Sequence, residues 1–178
     1  CAFDTPKTPL AIWTMDRTGL RATTNGADYV VIAPPELNSA AHALADYRAT
    51  RGLTTRVVML QDIYDAFNGG IPDPEAIRAF LTYAVFKWAT PPRYVALAGE
   101  GTYDYRNIKG FGDNLVPPIM VGAPNGLFAS DSRCADLDDD GVPELAVGRL
   151  PAMSNQELQD MVDKIIAYES APYGDWKN

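Results

Sequence analysis

Histidine is almost missing from this sequence and cysteine is scarce: one imidazole, His42, and two thiols, Cys1 and Cys134, stand among 178 residues. That poverty limits the nucleophilic chemistry open to the chain, because a nucleophile needs a base within reach. His42 lies between Ala41 and Ala43 on a segment of helical spacing, where a partly exposed imidazole with no role is the ordinary reading. Cys134 sits in an acidic stretch, and nearby carboxylates raise a thiol's pKa and weaken it as a nucleophile. A His42–Cys134 dyad has little support, so no residue is assigned a catalytic role. Two cysteines are also too few to define a disulfide framework. For Cys1 three readings stay open: a lipidated N-terminus, a disulfide to Cys134, or a free thiol.

Positive charge is in deficit too. The 15 Lys and Arg against 23 Asp and Glu give a net charge of −8, which argues against nucleic acid as a partner and against an anionic membrane surface. No apolar run approaches the roughly 20 residues that span a bilayer, so no transmembrane segment is expected. The first residues, "CAFDTPKTPLAIWTMDRTG", lack the basic start and long apolar stretch of a signal peptide, which does not establish a cytoplasmic origin. Internal repeats and low-complexity tracts are absent. A dinucleotide fold wants G-x-G-x-x-G after its first strand; "APPEL" occupies that turn instead.

What is present alternates regularly. Residues 1–26 carry no clear periodicity and read as a lead-in, with a single α/β unit over 27–178. "DYVVIAPP" is a continuous apolar run ended by prolines, as expected of a strand buried on both faces. "NSAAHALADYRATRG" is a helix with Asn38 or Ser39 as N-cap and Gly52 as stop. "LTTRVVML" is a second strand and "QDIYDAF" a short helix. Asp73 caps "PEAIRAFLTYAVFKWAT", with Pro74 first and Glu75 in the first turn; Ile77, Phe80, Leu81, Ala84 and Val85 form its buried face. "RYVALAG" is the third strand. An irregular segment from Glu100 to about Ser130 holds a short edge strand or a hairpin; the strand falls at "VPPIMVG", whose prolines exclude a central position. "PELAVG" is the last strand, and "SNQELQDMVDKIIAYES" the last helix, with a Ser154/Glu157 capping box. This order predicts a three-layer α/β/α fold around a mostly parallel four-stranded sheet, with every strand's C-terminal end on one edge, where such folds bind ligands.

Two stretches carry candidate chemistry. In "SDSRCADLDDDGVPELAVGRLP", Asp136, Asp138 and Asp140 alternate, Gly141 allows a sharp turn, and Val142 and Glu144 follow at the seventh and ninth positions. Alternate carboxylates in a tight loop converge on one point, and hard oxygen donors suit Ca²⁺. A complete EF-hand is excluded, because Val147 stands where the twelfth-position Glu belongs and no helix is expected before the loop. The other reading is a solvated acidic turn, with Asp139 facing water. A catalytic carboxylate pair is disfavoured, since nothing apolar surrounds the loop to raise one member's pKa. The second stretch, "LAGEGTYDYR", follows the third strand at the ligand-binding edge. Gly99 and Gly101 permit close backbone approach. Glu100, Asp104 and Arg106, together with Asp131, are candidates for substrate or partner contact. Alternatively the loop is braced by an Asp104–Arg106 or Glu100–Arg149 pair.

Six blocks in order, "ADYVVIAPPEL", "LADYRATRGLTTRVVMLQDIYDAFNGG", "DPEAIRAFLTYA", "PRYVALAGEGTYDYR", "ASDSRCADLDDDGVPELAVGRLP" and "VDKIIAYE", closely resemble gingipain-type cysteine peptidases, over nearly everything from Ala27 to Glu169. The resemblance implies a caspase-like (flavodoxin-like) catalytic unit of two α/β subdomains, of which these blocks match the first. It implies a catalytic His in a Gly-His-Gly segment and a Cys nucleophile, both in the second subdomain; neither motif occurs here, and "PYGDWKN" falls about where that subdomain would begin. His42 and Cys134 match neither position. The resemblance further implies a secreted or cell-surface setting, a structural calcium ion for which Asp136, Asp138 and Asp140 are candidates, the second subdomain as partner, and contact with peptide substrate only through the complete enzyme. A stand-alone calcium-stabilised binding module is the other reading.

Overall fold

The computed structural model describes residues 19–171 and Gly174; Cys1 and the first part of the lead-in lie outside them. Four strands, β1 (Tyr29–Ala33), β2 (Thr55–Met59), β3 (Tyr94–Ala98) and β6 (Ala146–Leu150), form one sheet in the order β2-β1-β3-β6. Every pairing is parallel, with Val31 opposite Val57 and Ala96, and Ala96 opposite Gly148. The expected four-stranded parallel sheet is therefore present.

The alternation within β1 shows how three layers arise. Val30 and Ile32 point into one apolar cluster with Ile63, Ile77, Phe80 and Leu81. Val31 and Ala33 point into the other, with Leu44, Ala45, Leu158 and Val162. All four side chains are fully buried, which is why the strand reads as an unbroken apolar run rather than an alternating one. Helices α2 (Leu60–Asn68) and α3 (Pro74–Lys87) cover the first face; α1 (Asn38–Thr50) and α5 (Asn155–Ser170) cover the second.

Local signals set most helix ends. The Asp73 carboxylate accepts from the Glu75 N–H at 2.9 Å, ahead of Pro74. Ser154 Oγ accepts from the Glu157 N–H, while Glu157 Oε2 reaches back to the Met153 N–H at 2.8 Å, one residue beyond the usual partner of a capping box. At α1 the expectation fails. A 3₁₀ turn over Pro35–Leu37 leads directly into the helix, so Leu37 takes the N-cap position without a capping side chain of its own. Asn155 Oδ1 accepts from the Ala40 N–H of the first turn at 3.0 Å instead. Gly52, at φ +86°, does close that helix.

Between β3 and β6 the short strand or hairpin expected within Glu100–Ser130 takes the form of a hairpin, and a helical turn is added. β4 (Ile119–Ala123) pairs with β5 (Gly126–Ser130) as an antiparallel hairpin separate from the main sheet. A single helical turn, α4 (Ser132–Ala135), follows and precedes the acidic loop, where no helix was expected. The described part of the lead-in already belongs to the fold: Leu20 is buried, and its carbonyl accepts from Trp88 Nε1 at 3.0 Å.

Candidate functional site at the strand ends and the acidic loop

β3 delivers Gly99 and Gly101 to the C-terminal edge of the sheet, and the reason for both glycines is packing. A Cβ on Gly99 would stand 2.9 Å from Val116 Cγ2, and one on Gly101 would strike the Val116 carbonyl and stand 2.6 Å from Pro118 Cδ. The close approach foreseen at this turn is made by the chain's own segment 115–118, which the Val116 N–H ties to the Glu100 carbonyl at 2.9 Å.

Arg149, from the Gly-Arg-Leu-Pro end of β6, is the organising charge of this edge. Its guanidinium makes a two-pronged contact with the Asp131 carboxylate, Nε to Oδ2 at 2.8 Å and Nη2 to Oδ1 at 2.6 Å. Its Nη1 donates to the Gly99 and Val116 carbonyls at 2.8 and 2.7 Å. One side chain thereby joins β6, the β3 turn, segment 115–118 and the hairpin exit. The pair expected for Arg149 was Glu100; geometry gives it Asp131, because the planar fork of arginine matches a carboxylate presented edge-on. Asp131 is accordingly occupied by the scaffold rather than presented to a ligand.

Asp104 is likewise structural. It is buried, and its two carboxylate oxygens accept from the Ile108 and Lys109 N–H groups, while Arg106 is exposed and does not pair with it. Of the four residues proposed for partner contact, Glu100 and Arg106 remain available. Around them the surface is apolar: a groove of about 420 Å³ is lined by Tyr103, Phe111, Met120, Leu127 and Phe128, with Leu127 70% exposed. Sequence reading missed this patch, because isolated aromatics in an irregular segment carry no period.

His42 and Cys134 cannot meet. His42 is on the exposed side of α1, which covers one face of the sheet, whereas Cys134 is a free thiol wholly buried in the cluster on the other face. Burial, reinforced by the Asp131 charge, pushes the Cys134 thiol up to about 12. The reason is chiefly desolvation; the carboxylates invoked from sequence play the smaller part.

The acidic loop folds into a braced turn. Asp139, at φ +68°, does not face water unpaired: it holds Arg78 of α3 at 2.7 Å and Arg133 of α4 at 2.5 Å, and the Arg78 hydrogen bond, foremost, keeps its carboxyl below the usual range. Arg133 also holds Asp136 Oδ2 at 2.8 Å, and Arg78 Nε donates to the Asp136 carbonyl at 2.9 Å. One oxygen each from Asp136, Asp138 and Glu144 lies within 4.8 Å of the others. Asp140 is not in that group; its Oδ1 accepts from the Val142 N–H at 2.7 Å.

A model described as Peptidase family C25 matches residues 22–178. Dimeric latent PorU from Porphyromonas gingivalis superposes with a TM-score of 0.68 at 27% identity, over 82% of this chain and 16% of that one. The Arg-specific cysteine proteinase gingipain R (RgpB) gives 0.59 at 21% identity, over 83% of this chain and 29% of that one, a likeness of fold. An uncharacterized protein of Archaeoglobus fulgidus is 24% identical over 150 residues, 80% of this chain and 35% of that protein. The chain thus spans about a third of that relative and less of either solved chain. With the family match running through the sheet, the strand-end turn and the braced loop alike, the chain belongs to peptidase family C25, and its layered α/β architecture is the caspase-like fold of the gingipain-type cysteine peptidases.

Proposed function

We propose that this chain is the first, non-catalytic α/β subdomain of a gingipain-type cysteine endopeptidase, in which a Cys/His dyad on a second subdomain hydrolyses the peptide bond. The observation that carries the reading is internal to the chain. It belongs to a peptidase family, yet its one histidine is exposed on one side of the sheet and Cys134 is buried and protonated on the other. A thiol held up to about 12 is almost entirely unionised at neutral pH, and the thiolate is the attacking species. We therefore assign the nucleophile and base to the second subdomain.

The scaffold role fits what the side chains do. Arg149, Asp131, Asp104 and the two glycines lock the strand-end loops to one another, and beside them lie an exposed apolar groove and the outer edge of β6, which is unpaired among the described residues and where Ala146 and Gly148 are exposed. Such surfaces suit burial against a second subdomain. The reading places the protein at the cell surface or outside the cell; among the described residues no helix is long and apolar enough to cross a membrane. The test is the reading frame beyond Asn178: a strand leading to Gly-His-Gly and a later strand ending in Cys support the proposal, and an unrelated domain or a stop codon overturns it.

A further inference from the structure

We propose that Asn125, at the tip of the β4–β5 hairpin, is a site of spontaneous covalent modification, where the side-chain amide is lost through a cyclic imide to give aspartate or isoaspartate. Asparagine is among the thermolabile residues, and the reaction needs the nitrogen of the next residue to reach the side-chain carbonyl carbon. Glycine, having no Cβ, obstructs that approach least. The sequence holds three Asn-Gly pairs, Asn25–Gly26, Asn68–Gly69 and Asn125–Gly126. As strings they are equivalent; the fold separates them.

Two of the three are restrained. Asn25 is half-buried, and its Nδ2 donates to the Gly19 and Leu20 carbonyls at 2.8 and 3.2 Å. Its own carbonyl accepts from the Ala89 N–H at 2.8 Å, and Gly26 lies against Thr90. Asn68 closes α2, with Nδ2 on the Ile71 carbonyl at 2.8 Å and the following Gly69 N–H on the Tyr64 carbonyl. Each of these side chains must release a hydrogen bond before it can turn back on the main chain. Asn125 has nothing to release: it is exposed in the Pro124–Asn125 turn, and its side chain has no hydrogen-bond partner among the described residues. Gly126, at φ +130°, faces Ala123 in the last pair of the ladder, where pairing frays first. Nothing stands within 4 Å of where its Cβ would be, so ring closure is uncrowded.

The step balances with water as the sole co-reactant. The Gly126 nitrogen bonds to Asn125 Cγ, the Cγ–Nδ2 bond breaks, and ammonia leaves with the proton that the nitrogen gives up. Water then opens the imide, at Cγ to restore an aspartate or at the main-chain carbonyl to give isoaspartate. Either product carries a carboxylate where the amide was neutral. The charge appears beside Leu127, on the rim of the apolar groove, so an aged chain presents a different hairpin tip from a fresh one.

The test keeps the full 178-residue chain folded in warm, mildly alkaline buffer, with a parallel sample in urea. Both are sampled until the urea-held chain has lost half of its Asn125 amide. Peptide mapping by mass spectrometry follows each amide, and an isoaspartate-specific methylation assay follows the product. In the folded chain Asn125 is expected to react at least about tenfold faster than Asn25 or Asn68, whose hydrogen bonds must open first; in urea that gap closes. Asn125→Gln should leave circular dichroism unchanged and remove isoaspartate from the hairpin peptide. An Asn125 amide that survives in the folded chain while urea removes it overturns the proposal. So does conversion of Asn25 or Asn68 in the folded chain as fast as Asn125, or isoaspartate confined to Asp140–Gly141, where no amide is lost. None of these outcomes depends on peptidase activity, so the site stands or falls apart from the scaffold reading.

Discussion

Arg149 shows how much one side chain can hold. Its four hydrogen bonds reach Asp131, Gly99 and Val116, and it is only 14% exposed. Replacing it by Met strands the Asp131 carboxylate and two carbonyls, and is expected to destabilise the fold by about 3 kcal/mol in denaturant titration. Gly101→Ala forces a Cβ into the Val116 carbonyl and Pro118, and about 1–3 kcal/mol is expected from overpacking there. Cys134 gives a sharper test. Its thiol should resist alkylation at pH 8 in the folded protein and react once the chain is unfolded. Because burial raises its pKa from 9.0 to about 12, the protonated thiol's contribution is intact below pH 9 and is lost as pH climbs from there towards 12. A stability curve that is flat across that alkaline window, measured against a Cys134→Ala control, contradicts the assignment.

At the scale of elements, the central strands and long helices were legible because their signals are long and redundant. β1 is an apolar run, and α3 carries both a cap at Asp73 and a buried face through Ile77, Phe80, Leu81 and Ala84. Asp73→Ala should cost about 1 kcal/mol, read from the shift of the melting midpoint. The pieces that escaped reading, α4 and the place of the second strand in the expected hairpin, are short or exposed. β5 is exposed through Gly126–Ala129, so no buried face marks it, and α4 is a single turn. The start of α1 was misplaced because the prolines after β1 enter a 3₁₀ turn instead of ending in a capped loop. Candidate-site residues fared less well than elements, for one physical reason. A carboxylate's spacing is visible in sequence, but whether its partner is an ion, an arginine or a backbone N–H depends on residues far away, such as Arg78 for Asp139 and Arg149 for Asp131. Between α1 and α5, Arg48 and Tyr47 both bond Glu169. Burial opposes ionisation of Glu169, but these bonds outweigh it and hold its carboxyl below the usual range. That clamp is therefore present above the ordinary carboxylate pKa and lost as pH falls below it, and Glu169→Gln should flatten the acid limb of the stability curve.

For the whole molecule, the sheet is flanked on both faces while the outer edge of β6 is unpaired among the described residues, with Gly148 exposed beside an apolar groove that includes Tyr94, Val147 and Ile165. A parallel sheet so well covered elsewhere is expected to bury this edge as well. In isolation the chain should self-associate in light scattering, and a monodisperse monomer at high concentration counts against burial of the edge. The central claim is that this fold is peptidase scaffold whose nucleophile lies outside it. Its most direct test is an active-site cysteine probe applied in parallel to this chain and to the product of the complete reading frame. The account predicts no labelling of the 178-residue chain that depends on His42, and labelling of the longer product at a cysteine other than Cys1 or Cys134. Labelling of this chain at Cys134 that disappears in His42→Ala would contradict it, as would a complete product that the probe leaves untouched.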